Sequence, residues 1–381
     1  MIRVGRRSFL GGLATASGAW TVGCAGDDTS LAGNAATFLR AIPFDGEGPA
    51  DLDVPFGVGL DGRLYDDLST LDQGTKITAT PRFYIRTRYP DRLDPNLPWR
   101  VRFGGLVEAP VDLTIDELRA RAAPRGLHLL ECSGNGKGAF FGMVSSASWE
   151  GVGLASLLEA TVRARPEAKR VRVTGFDDHS QPSARSVPGA SWIFGADDLR
   201  ETGAFLATTM NGAALERDHG APVRLVVPGW YGCTCIKWVT DVELVADDAP
   251  ATSQMREFAS RTMQDGEPVL ARDYQPARID QTAMPVRVEA WQRAEGLFYR
   301  VIGIAWGGTR PTDALSLQMA PDLPFERVHL FEPMTNATWS WWSLDFVPRR
   351  RGLHTMRLRV DDRSITTRRL DSGFYTRAVM L

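Results

Sequence analysis

Thiols are scarce in this chain: Cys24, Cys132, Cys233 and Cys235 are the only cysteines in 381 residues. No CxxCH motif occurs, which excludes a covalently attached c-type haem, and no Cys/His cluster has zinc-finger spacing. Charge of one sign is lacking as well. Lys and Arg number 44 against 46 Asp and Glu, a net −2, so nothing global argues for a nucleic-acid partner. After residue 24 no apolar run is long enough to span a bilayer, and repeats and low-complexity segments are missing. What is present is ordinary globular composition, 43% apolar and 24% charged, in a chain long enough for two domains.

The first 24 residues have the layout of an export signal. Arg3, Arg6 and Arg7 precede a small, apolar stretch from Phe9 to Val22. Arg6-Arg7-Ser8-Phe9-Leu10 resembles the twin-arginine signal, which exports folded proteins. Thr21-Val22-Gly23-Cys24 resembles a lipoprotein cleavage box, which makes Cys24 a candidate lipid anchor. The expected location is periplasmic or extracytoplasmic.

Residues 25–75, rich in Gly, Ala and Asp, read as an arm or linker. From about Thr80 strand-like and helical segments alternate. "WRVRFGGLV" reads as a strand and turn, and "TIDELRARAA" as a helix with Thr114 and Glu117 forming a capping box at its start. "GLHLLEC" is a buried strand, "LASLLEATVRA" a helix, and "KRVRVTGF" and "VRLVVPG" are further strands. That mixture is α+β. From about Pro268 the helical period disappears, and short β-like runs separated by turns predict a β-sandwich of the last hundred or so residues. Trp339, Trp341 and Trp342 fit a sandwich core or a dimer contact.

An exported chain meets an oxidising environment, so Cys132, Cys233 and Cys235 need an explanation. Cys233 and Cys235 are too close for an unstrained disulfide in extended chain; they read as small buried residues, with a metal clip as the alternative. Cys132 is followed by Ser133, Gly134, Asn135, Gly136 and Gly138, small residues that let other atoms approach the backbone.

The stretches around these cysteines carry a resemblance. "ECSGN" followed by "SASWEGVGLASLL", and "MNGAALERDHGAPVRLVVPGWYGCTCIKW" from Met210 to Trp238, are similar to two signatures of the sulfite oxidase family of molybdopterin enzymes. "IGIAWGG" and "WSWWSLDFV" resemble pieces of that family's C-terminal domain. The resemblance implies a sulfite-oxidase-type molybdopterin-binding domain at 76–262 and an immunoglobulin-like dimerisation domain at 268–381, hence a homodimer. It also implies a Mo-molybdopterin cofactor with a single pterin dithiolene. Cys132 would give the metal its protein thiolate, a soft donor that must be deprotonated. The cofactor would be held by Tyr84, Ile85, Arg86, Thr87 and Arg88, by Asp177 (with Asp178 as the adjacent alternative), and by His219, Arg224, Cys235, Ile236 and Lys237. Arg224 offers a planar fork of donors to phosphate.

The pocket departs from the family pattern. Gly136-Lys137 stands where the family has two arginines, Phe258 where it has a tyrosine, and Thr87-Arg88 where it has Asn-His. Cys132, Arg86 and Lys137 are the catalytic candidates, and Arg368 is the candidate for a third pocket arginine. The expected activity is oxygen-atom transfer to sulfite or a related reduced sulfur compound. Electrons then pass to an external acceptor, with a cytochrome c as the first choice. Two alternatives stay open: a molybdopterin sulfoxide reductase, and a cofactor-free binding protein with a degenerate site. Nine arginines against three aspartates between Pro348 and Arg377 read as solvated strand faces, or as a basic rim that steers an anion.

Overall fold

Strand alternation builds most of the molecule, and it begins earlier than the sequence suggests. The computed structural model describes residues 36–47, 51–94, 96–180, 183 and 186–381; the expected export signal and Cys24 lie outside the described residues. β1 (Thr37–Ile42) is followed by a short ladder of β2 (Arg63–Leu64) and β3 (Ile85–Arg86), in which Arg63 faces Arg86. The segment expected as an arm therefore contributes both strand and core: Leu64, Leu68 and Leu71 are buried.

β4 (Arg100–Gly105) alternates cleanly, with Val101 and Phe103 inward and Arg100 and Arg102 outward. It pairs with β5 (Val111–Thr114), whose last residue caps α1 (Ile115–Arg119). The expected capping box is present: Thr114 Oγ1 accepts from the Glu117 amide, and the Glu117 carboxylate accepts from the Thr114 amide. β6 (Ala123–Glu131) and β7 (Val144–Gly153) form an antiparallel hairpin. α2 (Leu154–Thr161) turns Leu154, Leu157 and Leu158 inward, the three-and-four spacing of one helical face. After it come β8 (Arg170–Gly175), β9 (Ser191–Gly195), α3 (Ala196–Thr202), β10 (Phe205–Met210), β11 (Ala213–Ala214), β12 (Arg224–Val226), β13 (Val239–Val245) and α4 (Ser253–Glu257). These strands make two sheets. One runs β5-β4-β13-β8-β9, with β4 and β13 parallel; the other runs β11-β10-β7-β6, with β12 on β10.

The remaining strands form two more sheets. β14 (Thr282–Arg293), β15 (Gly296–Trp306), β18 (His329–Leu330) and β19 (Ser340–Phe346) assemble with β1 in the order β1-β14-β15-β19-β18. β16 (Leu315–Gln318), β17 (Glu326–Arg327), β20 (Leu353–Val360) and β21 (Arg377–Met380) form the other, in the order β17-β16-β20-β21. A four-residue helix, α5 (Arg368–Asp371), interrupts a tail whose sequence shows no helical period.

The β14-β15-β19 sheet is buried on both faces, and the period of two sorts its residues between two cores. Ile302, Ile304, Trp306 and Trp341 join the core of the preceding half, while Val301, Ala305, Trp342 and Phe346 pack toward the four-stranded sheet. In β14 a register shift between Pro285 and Arg287 switches the parity, so Val286 faces the first core and Val288 the second. The tryptophan cluster is thus split. Trp342 belongs to the sandwich core, as expected, but Trp339 and Trp341 pack against the first half, each donating its indole N–H to the Thr75 carbonyl, at 3.0 and 3.2 Å.

Candidate functional site

Cys132 sits where the β6–β7 hairpin opens into a loop. Its amide donates to the Met143 carbonyl at 2.9 Å, the last cross-strand bond, and its carbonyl accepts from the Asn135 amide at 2.8 Å. The Gly134 amide points at the sulfur, with N···Sγ at 3.4 Å. Of the glycines nearby, Gly134 is the one that flanks the thiol: a Cβ there would touch Cys132 Sγ at 3.7 Å and Arg261 Nη1 at 3.8 Å. The cysteine lines an open cleft that also collects residues from the β2–β3 ladder, the loop after β8, the 218–224 segment, the 232–238 segment and α4.

One end of this cleft is cationic. Arg224, buried at the start of β12, donates to the carbonyls of His219 (3.0 Å) and Cys235 (3.3 Å), while its Nε has no hydrogen-bond partner among the described residues. Lys237 donates to the carbonyls of Thr87 and Asp218. Arg86 donates to the Leu60 carbonyl at 2.9 Å, and the buried Arg63 reaches the same oxygen at 2.8 Å. Arg88 pairs with Asp218 at 3.0 Å. Gly220, with φ of +108°, lets this end close: a Cβ there would lie 3.0 Å from Arg224 Cβ and 3.2 Å from Lys237 Cβ.

The electrostatics reflect how closely cationic groups crowd at this end. Burial first, and then Lys237 and Arg224, push His219 down to about 4. Burial and Arg224 hold the Lys237 ammonium well below its usual range, and burial with Arg86 brings Arg63 to about 10. His219 is therefore neutral at pH 7. With its Nε2 at 3.1 Å from the Thr80 carbonyl, that nitrogen carries the proton and donates.

The opposite end is acidic and rich in acceptors. Asp177 is engaged by the loop amides of Gly189 and Ala190. Its neighbour Asp178 accepts from Ser180 through Oδ1, while its buried Oδ2 has no partner among the described residues, and neither has Glu257 Oε1. Such orphaned buried acceptors are costly unless a donor arrives.

Most of the sequence-predicted residues meet here: Tyr84, Arg86, Thr87, Arg88, Cys132, Asp177, His219, Arg224, Cys235, Ile236 and Lys237 all line the cleft, with Phe258. Thr87 takes a φ of +135°, a strained conformation of the kind that clusters at ligand sites. Ile85 is buried in the ladder beneath it, opposite Leu64. Cys233 and Cys235 are free and buried, and burial raises both thiols, which fits small core residues.

Two expectations are corrected. Lys137 is not brought to the cleft: the short turn Lys137–Ala139 carries it into solvent while Ala139 and Phe141 pack inward. Arg368 is not a free pocket arginine, because both its Nε and Nη2 are held by Asp280, at 2.7 and 3.0 Å. Its neighbour Arg369 is the one turned inward, 3% exposed. The sequence reading also missed Arg63, Asp218 and Arg261. Arg261 stacks on Phe258 at 5.1 Å, and its guanidinium makes no hydrogen bond among the described residues. The spacing of Arg261 from Phe258, three residues on, was the available signal.

Among the described residues no group of three or more His, Cys, Asp and Glu side chains can chelate a metal. Cys132 nevertheless opens onto a cleft with room for a metal carried by an organic group. The cleft suits such a group if it carries an anionic phosphate for the cationic end and N–H edges for Asp178 and Glu257.

Residues 87–253 match the family described as an oxidoreductase molybdopterin binding domain. Mitochondrial sulfite oxidase of Rattus norvegicus is 27% identical over 296 residues, covering 70% of this chain and 52% of the rat protein. The NADPH nitrate reductase of Aspergillus niger is 29% identical over 321 residues, covering 71% of this chain and 36% of the fungal one. The chain thus spans about half the length of the rat enzyme and less of the fungal one. In fold it is similar to the sulfane dehydrogenase SoxCD of Paracoccus pantotrophus, with a TM-score of 0.63 and 18% identity over 86% of this chain and 80% of that one.

Proposed function

The chain belongs to the sulfite oxidase family of molybdopterin-dependent oxidoreductases, and from that premise we propose that it oxidises a small reduced sulfur oxyanion, with sulfite the first to test. The convergence of Cys132, His219 and Arg224 on one cleft speaks against the cofactor-free alternative. The cofactor is Mo-molybdopterin, which when bound supplies two-electron oxygen-atom-transfer chemistry. The observation that carries the substrate reading is the set of cations, Arg86, Arg224 and Lys237, that lines the same cleft as Cys132.

In this reading Cys132 presents its thiolate to molybdenum. Arg224, His219, Lys237 and the backbone of Cys235 and Ile236 hold the cofactor's phosphate end, with the Tyr84–Arg88 segment alongside. Asp177, Asp178 and Glu257 receive its N–H groups. Arg86 and Arg261 offset the substrate's charge; such preorganised donors act strongly where water is excluded. Phe258 supplies an apolar wall with no hydroxyl. Oxidation of sulfite to sulfate takes one oxygen from water and releases two electrons and two protons. The electrons leave to an external acceptor, for which a periplasmic c-type cytochrome is the proposed partner.

The remaining organisation is proposed on the same footing. Residues 1–24 direct export, with Cys24 as the point of lipidation. Residues 76–262 form the catalytic domain, and 268–381 form an immunoglobulin-like domain through which two copies pair.

The test is metal analysis and steady-state assay of protein from a host that makes molybdopterin. Stoichiometric molybdenum, with sulfite-dependent reduction of cytochrome c, is expected. Cys132→Ser should abolish turnover, and Arg261→Ala should lower kcat/KM by about a hundredfold, the effect of losing one preorganised charge-stabilising donor. Loaded protein that ignores sulfite but turns over another sulfur compound would move the substrate. Turnover of no sulfur compound would overturn the reading.

A further inference from the structure

Both chain neighbours of Cys132 are gripped from the C-terminal half. Glu131 is fully buried. Its Oε2 accepts from Trp306 Nε1 at 2.8 Å, and its Oε1 accepts from the Tyr375 hydroxyl at 2.8 Å and from Asn135 Nδ2 at 3.3 Å. On the other side of the cysteine, the Ser133 carbonyl accepts from Arg369 Nη2 at 2.7 Å, and the same nitrogen reaches the Arg261 carbonyl at 2.7 Å. Arg369 Nη1 stands 3.9 Å from Glu131 Oε1, and the guanidinium lies over the rings of Tyr231 and Phe374. The end of β15, helix α5 and the turn before β21 thus converge on three consecutive residues, 131–133.

Apolar side chains of similar volume would join two halves at least as firmly as a buried charge pair, because desolvating the charges opposes their attraction. What directional bonds add is orientation. Glu131 ends the strand that delivers Cys132, and Ser133 begins the loop that leaves it, so fixing both fixes the direction of the Cα–Cβ bond between them.

We propose that Glu131 and Arg369 are positioning residues: through them the C-terminal half sets the direction in which Cys132 presents its sulfur. The proposal rests on Cys132 being the protein ligand of molybdenum. It gives the C-terminal sheets a role at the reaction centre in addition to any role in pairing.

The experiment compares full-length wild type with Glu131→Gln and Tyr375→Phe. On loaded protein, molybdenum content and the Mo(V) electron paramagnetic resonance spectrum are recorded. On cofactor-free protein, the iodoacetamide labelling rates of Cys132, Cys233 and Cys235 are read by peptide mass, together with Tm. Both variants should keep molybdenum and show altered Mo(V) parameters, and labelling of Cys132 should change about tenfold, the effect of one lost charge-assisted hydrogen bond. Labelling of Cys233 and Cys235 in the same chains should stay constant. An unchanged spectrum with unchanged Cys132 labelling overturns the proposal, even if Tm falls; so does equal acceleration at all three cysteines, which is general loosening. If Glu131→Gln fails to fold, Tyr375→Phe decides, since it removes a single hydroxyl. Absence of molybdenum from the wild type would instead sink the ligand role of Cys132.

Discussion

At the scale of single residues, the site's chemistry lies in cations held mainly at carbonyl oxygens. Arg224, Lys237 and Arg63 keep their heads at carbonyl oxygens, and His219 is kept neutral by burial and by two of these cations. Carbonyl dipoles orient the cations but leave their net charge available to an anion. His219 makes this measurable. Its folded value of about 4 lies below the unfolded 6.5, so the unfolded chain takes up a proton first as pH falls. Stability from this group is intact above pH 6.5, is lost progressively toward pH 4, and is level below. The full loss is on the order of 3 kcal/mol, from 1.36 kcal/mol per pKa unit. Urea unfolding of the cofactor-free chain across that window should show the loss, and His219→Gln should remove that part of the slope. Equal slopes in the two proteins would mean that His219 is solvated or charged in the fold.

At the scale of elements, the two-faced sheet explains why the C-terminal sequence is dense in tryptophan. A strand covered on both sides has no solvent face on which to place polar residues, so Trp341 and Trp342 point in opposite directions and both are buried. Trp342→Ala should cost about 3–5 kcal/mol in denaturant unfolding, as large-to-small core changes do; a cost below 1 kcal/mol would mean that the sandwich core closes over the gap. This pattern also marks how far the sequence could be read. Val101 and Phe103 between outward arginines, the Thr114–Glu117 box, and the strands of the tail were legible because period and capping are local. The ladder of Arg63 with Arg86 was not, since two-residue strands in Gly- and Asp-rich chain have no period to detect. Helix α5 is a single turn and escapes for the same reason. Within the site, Cys132, His219 and Arg224 were legible through the motifs around them. The failure of Lys137 and the pairing of Arg368 with Asp280 depend on where a turn points and on which acid lies across the fold. Neither is encoded in nearby residues.

At the scale of the whole molecule, the two halves share too much to unfold apart. The nine-arginine run illustrates the coupling: Arg350, Arg359, Arg368 and Arg377 pair with Asp322, Asp361, Asp280 and Glu47, which shrinks the basic rim available to steer an anion. Arg377 and Glu47 join the last strand to the segment after β1, and β1 itself is an edge strand on β14. Arg287 donates to the carbonyls of Ser69 and Leu71, the Leu129 amide donates to the Ala337 carbonyl, and Trp306 inserts between the halves to reach Glu131. Separating the halves would expose Met284, Ile302, Ile304, Trp306, Trp339 and Trp341 together and leave Glu131 and Arg369 as buried charges without partners on one side. The boundary expected between residues 262 and 268 therefore lies within one cooperative unit. Scanning calorimetry of the cofactor-free full chain should give a single transition whose calorimetric and van't Hoff enthalpies agree. Two resolved transitions, with Cys132 becoming reactive in the first, would show that the halves separate before either unfolds and that the contacts around Glu131 are too weak to hold the cysteine loop.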